Sequence, residues 1–393
     1  MPRNWAKVGP YAPDTERLMR VVASLVAAIG LTSSGLAQSD IHETEQADFR
    51  MEAVAEGLEF PWSMAFLPDG RLLVSERAGR LRLIEGDTLR RAPVAGLPDI
   101  MVEGQGGLLG LAVHPDFADN GLIYFAYAEG SANANHTALA RGRLNDDATA
   151  LTEVETLFQV NFDKERGFHF GGRLQFLPDS TLLLTLGDGG LHRNEAQDLT
   201  NHLGTIIRLN DDGTVPFDNP FVSARGARPE IYTYGHRNVQ GIAINPQTGS
   251  VWAHEHGARG GDEINLVEPG RNYGWPLVTY GVNYNGTPIS DATHGDGLEQ
   301  PIWFWDPSIA PSGLAFYDGD GFENWQGDAF VGALVGSRLV RFEVEGDRII
   351  SREELLVGRG ERIRDVTTGA DGSLYILTDE RAGSVLRLVP VIP

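Results

Sequence analysis

The sequence predicts an all-β protein, a six-bladed β-propeller of four-stranded antiparallel sheets. Two observations carry that prediction: a phrase that recurs along the chain, and the lack of a helical apolar period beyond the N-terminus. The phrase is an apolar pair, a turn rich in Pro, Asp and Gly, then a β-rich run. It appears as "AFLPDGRLLVSE" (65–76), "AVHPDFADNGLIYFAYA" (112–128) and "QFLPDSTLLLTLGD" (175–188). It returns as "AINPQTGSVWAHEH" (243–256), "AFYDGDGFENWQGDAFVGAL" (315–334) and "VTTGADGSLYILTDE" (366–380). Repetition of one supersecondary unit at intervals of tens of residues is the signature of a blade-by-blade architecture.

Most copies are followed by a second alternating segment, such as "GRLRLIEGD" (79–87), "SRLVRFEVEGD" (337–347) and "GSVLRLVPV" (383–391). Alternation of apolar and polar residues at period two predicts half-buried antiparallel strands. The 48 glycines and 21 prolines, in no triplet register, suit short strands joined by tight turns. Residues 51–393 read as one propeller domain, preceded by a linker over 38–50.

Residues 1–37 read as a secretory signal, with Met19 an alternative start. Arg17 and Arg20 precede an apolar run, Val21–Leu31, and small residues ending at Ala37 supply a cleavage site. That run is too short to span a bilayer comfortably. The expected product is periplasmic or secreted, with no stable membrane insertion.

The formal charge of −22 disfavours nucleic acid and anionic membrane surfaces as partners. No cysteine is present, which excludes disulfides, thiolate zinc sites and thiol catalysis. Any metal must be held by oxygen or imidazole.

Five loops break the strand pattern with chemistry-capable residues. In "VEGQGGLLG" (102–110) Gln105 lies between glycines that permit close backbone approach. In "GFHFGGRLQF" (167–176) His169 is a candidate general base, since imidazole titrates nearest to neutral pH. Asp188, in "LGDGGLHRNEAQD" (186–198), can orient that imidazole if the two strands are neighbours in one blade. Its glycines equally suit a plain turn. "YGHRNVQG" (234–241) groups Arg237 and Asn238, the guanidinium offering a rigid donor fork to negative charge. In "ERIRDVTTG" (361–369) Arg362 and Arg364 point the same way on a predicted strand, so they repel unless an anion lies between them.

Taken together, "GQGGLLGLAVHPDF", "HFGGRL", "YGHRNVQGIA", "EHGARGGDEINLVEPGRNYGWP" and "RIRDV" resemble the soluble, pyrroloquinoline quinone-dependent aldose sugar dehydrogenases, relatives of soluble glucose dehydrogenase. The resemblance runs from about residue 52 to 390. It implies that His169 is the base taking the C1 hydroxyl proton of an aldose and that Asp188 orients it. Gln105, Arg237, Asn238 and Tyr284 match residues that contact the quinone, and Arg362 and Arg364 match an arginine pair near its carboxylates. It implies Ca²⁺ as second cofactor, bound by the Gly257 and Ala258 carbonyls. A further, structural calcium would be held by Glu263 and the Tyr273 carbonyl. Oxygen ligands in glycine-permitted loops are what calcium prefers. Electrons would pass to an unidentified acceptor.

One departure concerns "FVGALVGSRL" (330–339), where Val335 stands at a position the family often fills with lysine, and Arg338 is the candidate substitute. Ala258 replaces a common proline. Two other readings suit the same scaffold: a calcium-dependent lactonase-type hydrolase, and a non-catalytic binding propeller.

Overall fold

The computed structural model describes residues 41–391, which form six antiparallel sheets. The signal assignment for residues 1–37 lies outside the described residues. In the first five sheets, strand order follows chain order from one edge to the other. The six leading strands are Pro61–Phe66, Leu108–Val113, Leu174–Phe176, Val239–Ile244, Pro311–Phe316 and Ile363–Thr368. Each touches the next around a ring, and the last touches the first. That is a six-bladed propeller with these strands innermost. Among the described residues, the one α-helix is Phe117–Asn120, and no helix is long and apolar enough to cross a membrane.

The last blade is composite. Phe49–Leu58 pairs antiparallel with Gly383–Pro390 and supplies its fourth strand, while Ile41–His42 adds a short fifth. Hydrogen bonding between the two ends of the domain closes the ring without an open edge. Part of the 38–50 stretch, expected as linker, is therefore strand at residues 41–42 and 49–50.

The recurring Pro-Asp-Gly phrase is the hairpin between the first and second strands of a blade. In "LPDG" the Gly70 amide donates to the Leu67 carbonyl at 2.9 Å, and Asp69 Oδ1 accepts from the Arg71 amide at 3.0 Å. Asp179 and Asp371 accept from the amides of Thr181 and Ser373 in the same way. A short carboxylate capturing the N–H two residues on is the physical reason Asp recurs in these turns.

Between neighbouring blades lie six apolar clusters, one per interface. Leu73 faces the second blade in one cluster, while its neighbours Leu72 and Val74 face the sixth in another. Both faces of the second strands are thus covered: Leu72–Glu76, Leu182–Thr185, Val251–Glu255, Ala329–Ala333 and Leu374–Thr378 are buried throughout. The expectation of half-buried strands holds only toward the blade edges, as in Arg348–Leu355, where exposed and partly buried positions alternate. A blade packed between two others has no solvent face until its outer strand.

Candidate functional site

An antiparallel hairpin brings the start of its first strand and the end of its second to the same face. Gln105, His169, Asn238, Ala310 and Arg362 all lie at or just before the start of an innermost strand. Arg77, Asp188, His256, Leu334 and Asp379 all follow the end of a second strand. Topology alone therefore gathers these residues at one end of the central channel. A cavity of about 240 Å³ opens there, with Trp62, Arg77, Gln105, Asn238, Arg362 and Arg364 in its wall.

His169 and Asp188 meet as the sequence suggested: Nδ1 lies 2.6 Å from Asp188 Oδ1. The carboxylate is held from three sides, because Oδ1 also accepts from the Gly190 amide at 2.7 Å and Oδ2 accepts from Trp275 Nε1 at 2.8 Å. Burial pushes the Asp188 pKa up, but the His169 hydrogen bond and charge, with Arg237, outweigh it and leave the group below its usual value. Burial also holds the His169 pKa below its ordinary value, assisted by the positive charges of Arg237 and Lys164 and opposed by Asp188. The pair is then a neutral imidazole on an ionised acid, with Nε2 free of hydrogen bonds among the described residues. His169 adopts φ 47°, a conformation that side chains other than glycine enter only when surrounding contacts enforce it.

One of those contacts comes from Gln105, whose Oε1 accepts from the His169 amide at 2.8 Å. The Gln105 NH₂ is thereby left for the cavity. Asn238 does the same from the fourth blade: its Oδ1 accepts from the Gly171 amide at 3.2 Å, leaving its NH₂ donors unengaged among the described residues. Two amides have been oriented as donors toward one space.

Opposite them is a cationic wall. Arg362 and Arg364 both reach Asp379 Oδ2, at 2.9 and 2.7 Å, so the anion their repulsion demanded is in part this chain's own carboxylate. Burial raises the Asp379 pKa, yet the two guanidiniums outweigh it and hold the group below the usual carboxylate value. Arg77 joins them in the cavity wall, so three cations face one acid. Arg364 Nε is buried without a partner. This wall retains positive charge and an unfilled donor, which fits a ligand bearing carboxylates.

Arg237 is buried against the ring of Trp275, with Nη1 donating to the His256 carbonyl at 3.0 Å and Nη2 3.5 Å from the Tyr284 hydroxyl. Its backbone carbonyl accepts from the Asp188 amide at 2.8 Å, tying it to the His169–Asp188 pair. Tyr284 is 73% exposed and lines an adjoining open groove of about 700 Å³ together with Ala258 and Val335.

The stretch 255–276 encloses a second space of about 10 Å³ between Glu255, Gly257, Glu263, Tyr273 and Trp275. Such a void has room for one water or one ion. Glu255 is committed to His236 Nδ1 at 2.8 Å and the Arg237 amide at 2.5 Å. Burial, with the charge of Glu255 added, pushes the Glu263 pKa well above its usual value. Buried Glu255 and partly buried Glu263 around a one-atom void are a donor set suited to a hard cation. A Cβ on Gly257 would meet the Gly260 carbonyl oxygen at 2.2 Å, so this turn closes only with glycine. Asp262 locks it in place: Oδ1 accepts from the Gly257 amide, and Oδ2 accepts from the Ile309 and Ala310 amides. Among the described residues no three carboxylates or imidazoles converge as a metal cluster, so a cation here must draw on backbone carbonyls.

Val335 lines both the cavity and the groove. Arg338 does not replace the missing lysine, because its Nη1 is paired with Glu354 on the neighbouring outer strand. Sequence reasoning missed Arg77, Trp62, Trp275, Glu255 and Asp379. Arg77 and Asp379 carried a usable signal, since each directly follows the β-run of a repeat, the position that also holds Asp188. Trp62 and Trp275 had none, as a tryptophan in a strand or turn reads as core.

A profile of the family described as "Glucose / Sorbosone dehydrogenase" matches residues 58–387. The aldose sugar dehydrogenase YliI of Escherichia coli is 44% identical over 349 residues, covering 88% of this chain and 94% of that protein. The crystal structure of the soluble aldose sugar dehydrogenase from E. coli in its apo-form aligns with a TM-score of 0.84 at 44% identity, over 87% of this chain and 100% of that one. The PQQ-bound form of an aldose sugar dehydrogenase from Streptomyces coelicolor aligns with a TM-score of 0.70 at 29% identity, over 87% and 99%. With that similarity spanning the propeller and the cavity it encloses, the chain belongs to the glucose/sorbosone dehydrogenase family and is by that membership a sugar dehydrogenase.

Proposed function

We propose that the chain is an exported, pyrroloquinoline quinone-dependent dehydrogenase that oxidises the C1 hydroxyl of aldose sugars to lactones. The observation that carries this reading is the His169–Asp188 pair, 2.6 Å apart, tied through Gln105 to the cavity whose wall holds Arg77, Arg362 and Arg364. His169 Nε2 would accept the proton of the C1 hydroxyl as hydride leaves C1. Asp188 keeps the imidazole in the tautomer with its proton on Nδ1, and stabilises the imidazolium that forms. Trp275 and the Gly190 amide fix Asp188 for that task.

The chemistry a bound quinone supplies is acceptance of the hydride, with Ca²⁺ beside it as Lewis acid. Arg77, Arg362 and Arg364 would hold its carboxylates, Gln105 and Asn238 would donate to its oxygens, and Arg237 and Tyr284 would border it. The Gly257 and Ala258 carbonyls would bind the catalytic calcium. Glu263 and the Tyr273 carbonyl would bind the structural one, and Glu255 joins that set. The S. coelicolor relative, which binds PQQ, supports this choice of cofactor. Export to the periplasm rests on the N-terminal signal, and electrons would leave to a separate acceptor.

The test is reconstitution of folded apoprotein with pyrroloquinoline quinone and Ca²⁺, followed by dye reduction with a panel of aldoses. Turnover that needs both cofactors and yields lactone is expected. A quinone absorbance unchanged on titration, or lactone hydrolysis without quinone, overturns the reading.

A further inference from the structure

Lys164 is a fully buried cation that the proposed chemistry does not use. It is 1% exposed, and no carboxylate reaches it: Nζ is 2.6 Å from Asn135 Oδ1, 3.4 Å from the Arg166 carbonyl, and 3.4 Å from the centre of the Phe170 ring. Burying an ammonium on one amide and a ring face is costly, so its place needs a reason. Phe170 follows His169 directly. On the other side, the Lys164 stem lies under the turn that carries Asp188: a Cβ on Gly189 would meet Lys164 Cδ at 2.7 Å. The lysine is thus wedged behind both members of the acid–base pair.

We propose that Lys164 is a positioning residue for the pair: from behind, its ammonium favours ionised Asp188 and unprotonated His169, keeping the base ready to accept. This rests on the reading of His169 as the base. The charged groups around the pair are Asp188, Arg237 and Lys164. Those around Lys164 are Asp188 and Glu165, with His192 against the same turn and bonded to Glu165 at 3.0 Å. His136, next to Asn135, is committed to Glu129 and Asp163. Burial lowers the Lys164 pKa to about 7, while Asp188 and then Glu165 work in the opposite direction. Below that pH, where His169 would take up a proton, the ammonium is charged and repels it. The Gly189 contact has a second consequence, since any side chain at 189 would push the lysine stem out of line.

The experiment is a ¹⁵N-histidine NMR titration of the full-length apoprotein, comparing wild type with Lys164→Met and Lys164→Arg. The Met variant keeps the stem and removes the charge. It should raise the His169 midpoint by roughly half a unit or more, with the Arg variant staying near wild type. In reconstituted enzyme the acid limb of kcat should move by the same amount, with KM for the sugar unchanged. An unmoved His169 midpoint in folded Lys164→Met overturns the proposal, as does an Arg variant that shifts as far as Met. If Lys164→Met does not fold, the wild-type titration decides: the His169 signal must show a second inflection as Lys164 loses its proton, and a single step overturns the proposal. The NMR result is independent of turnover, so an inactive reconstituted enzyme counts against the dehydrogenase chemistry and not against this pairing.

Discussion

The indole N–H of Trp275 donates to Asp188 Oδ2 at 2.8 Å, joining a turn of the fourth blade to the acid of the third. The same ring carries the Arg237 guanidinium on its face, 5.4 Å from the ring centre. Trp275 therefore aligns the acid and lies against the Arg237 guanidinium as well.

Replacing that donor has a specific cost. Trp275→Phe leaves Asp188 Oδ2 without its partner, and a hydrogen bond to a charged group contributes about 2 kcal/mol. Steady-state kinetics of the reconstituted variant should show kcat down roughly tenfold, with KM and cofactor titration changed by less than about twofold.

Asp379 holds two guanidiniums together, so Asp379→Asn should destabilise the apoprotein by about 3 kcal/mol. Half-exposed Arg362 contributes less to that figure than buried Arg364. A carboxylate-bearing cofactor replaces part of the lost charge, so the drop in unfolding midpoint should be smaller for holoprotein. Denaturant unfolding of both forms checks this, and equal losses would show that the arginine wall does not meet the cofactor.

His254 gives the fold an acid limb of its own. Burial lowers its pKa from 6.5 to about 3, and its Nδ1 is buried without a partner. The unfolded chain then binds the proton that the folded chain refuses, so stability is lost as pH falls from 6.5 toward 3. The slope is about 1.4 kcal/mol per pH unit for one such group. His254→Gln should flatten the unfolding free energy between pH 6 and 4 by that slope, measured by urea titration at several pH values.

Glu263 faces Glu255 across a one-atom void, and its raised pKa means that its charge opposes folding at neutral pH. Glu263→Gln should raise the unfolding temperature of chelator-treated protein. It should also reduce or abolish the upward shift that Ca²⁺ produces in wild type. Calorimetry with and without Ca²⁺ separates the two effects, and a calcium shift of full size in the variant would remove Glu263 from the ligand set.

Blade number and the loops that carry chemistry were legible in the sequence, because Asp-containing hairpins repeat for a local reason and leave a periodic mark. His169, Asp188, Gln105 and Asn238 were legible as polar residues interrupting strand patterns in glycine-containing loops. Lys164 and Trp275 were not. Each is defined by what surrounds it in space, a ring face or a carboxylate of another blade, and neither has a local signature.

By itself the sequence determined a repeating β architecture, the absence of thiol chemistry and the residue types available to a site, since composition and short-range turn chemistry are local properties. Tertiary structure alone decided that Arg362 and Arg364 share Asp379, that Arg338 turns outward to Glu354, and that a buried lysine stands behind the His169–Asp188 pair. The physical reason is ring closure: it sets strands far apart in sequence side by side, and only then do charge, burial and donor geometry acquire their values.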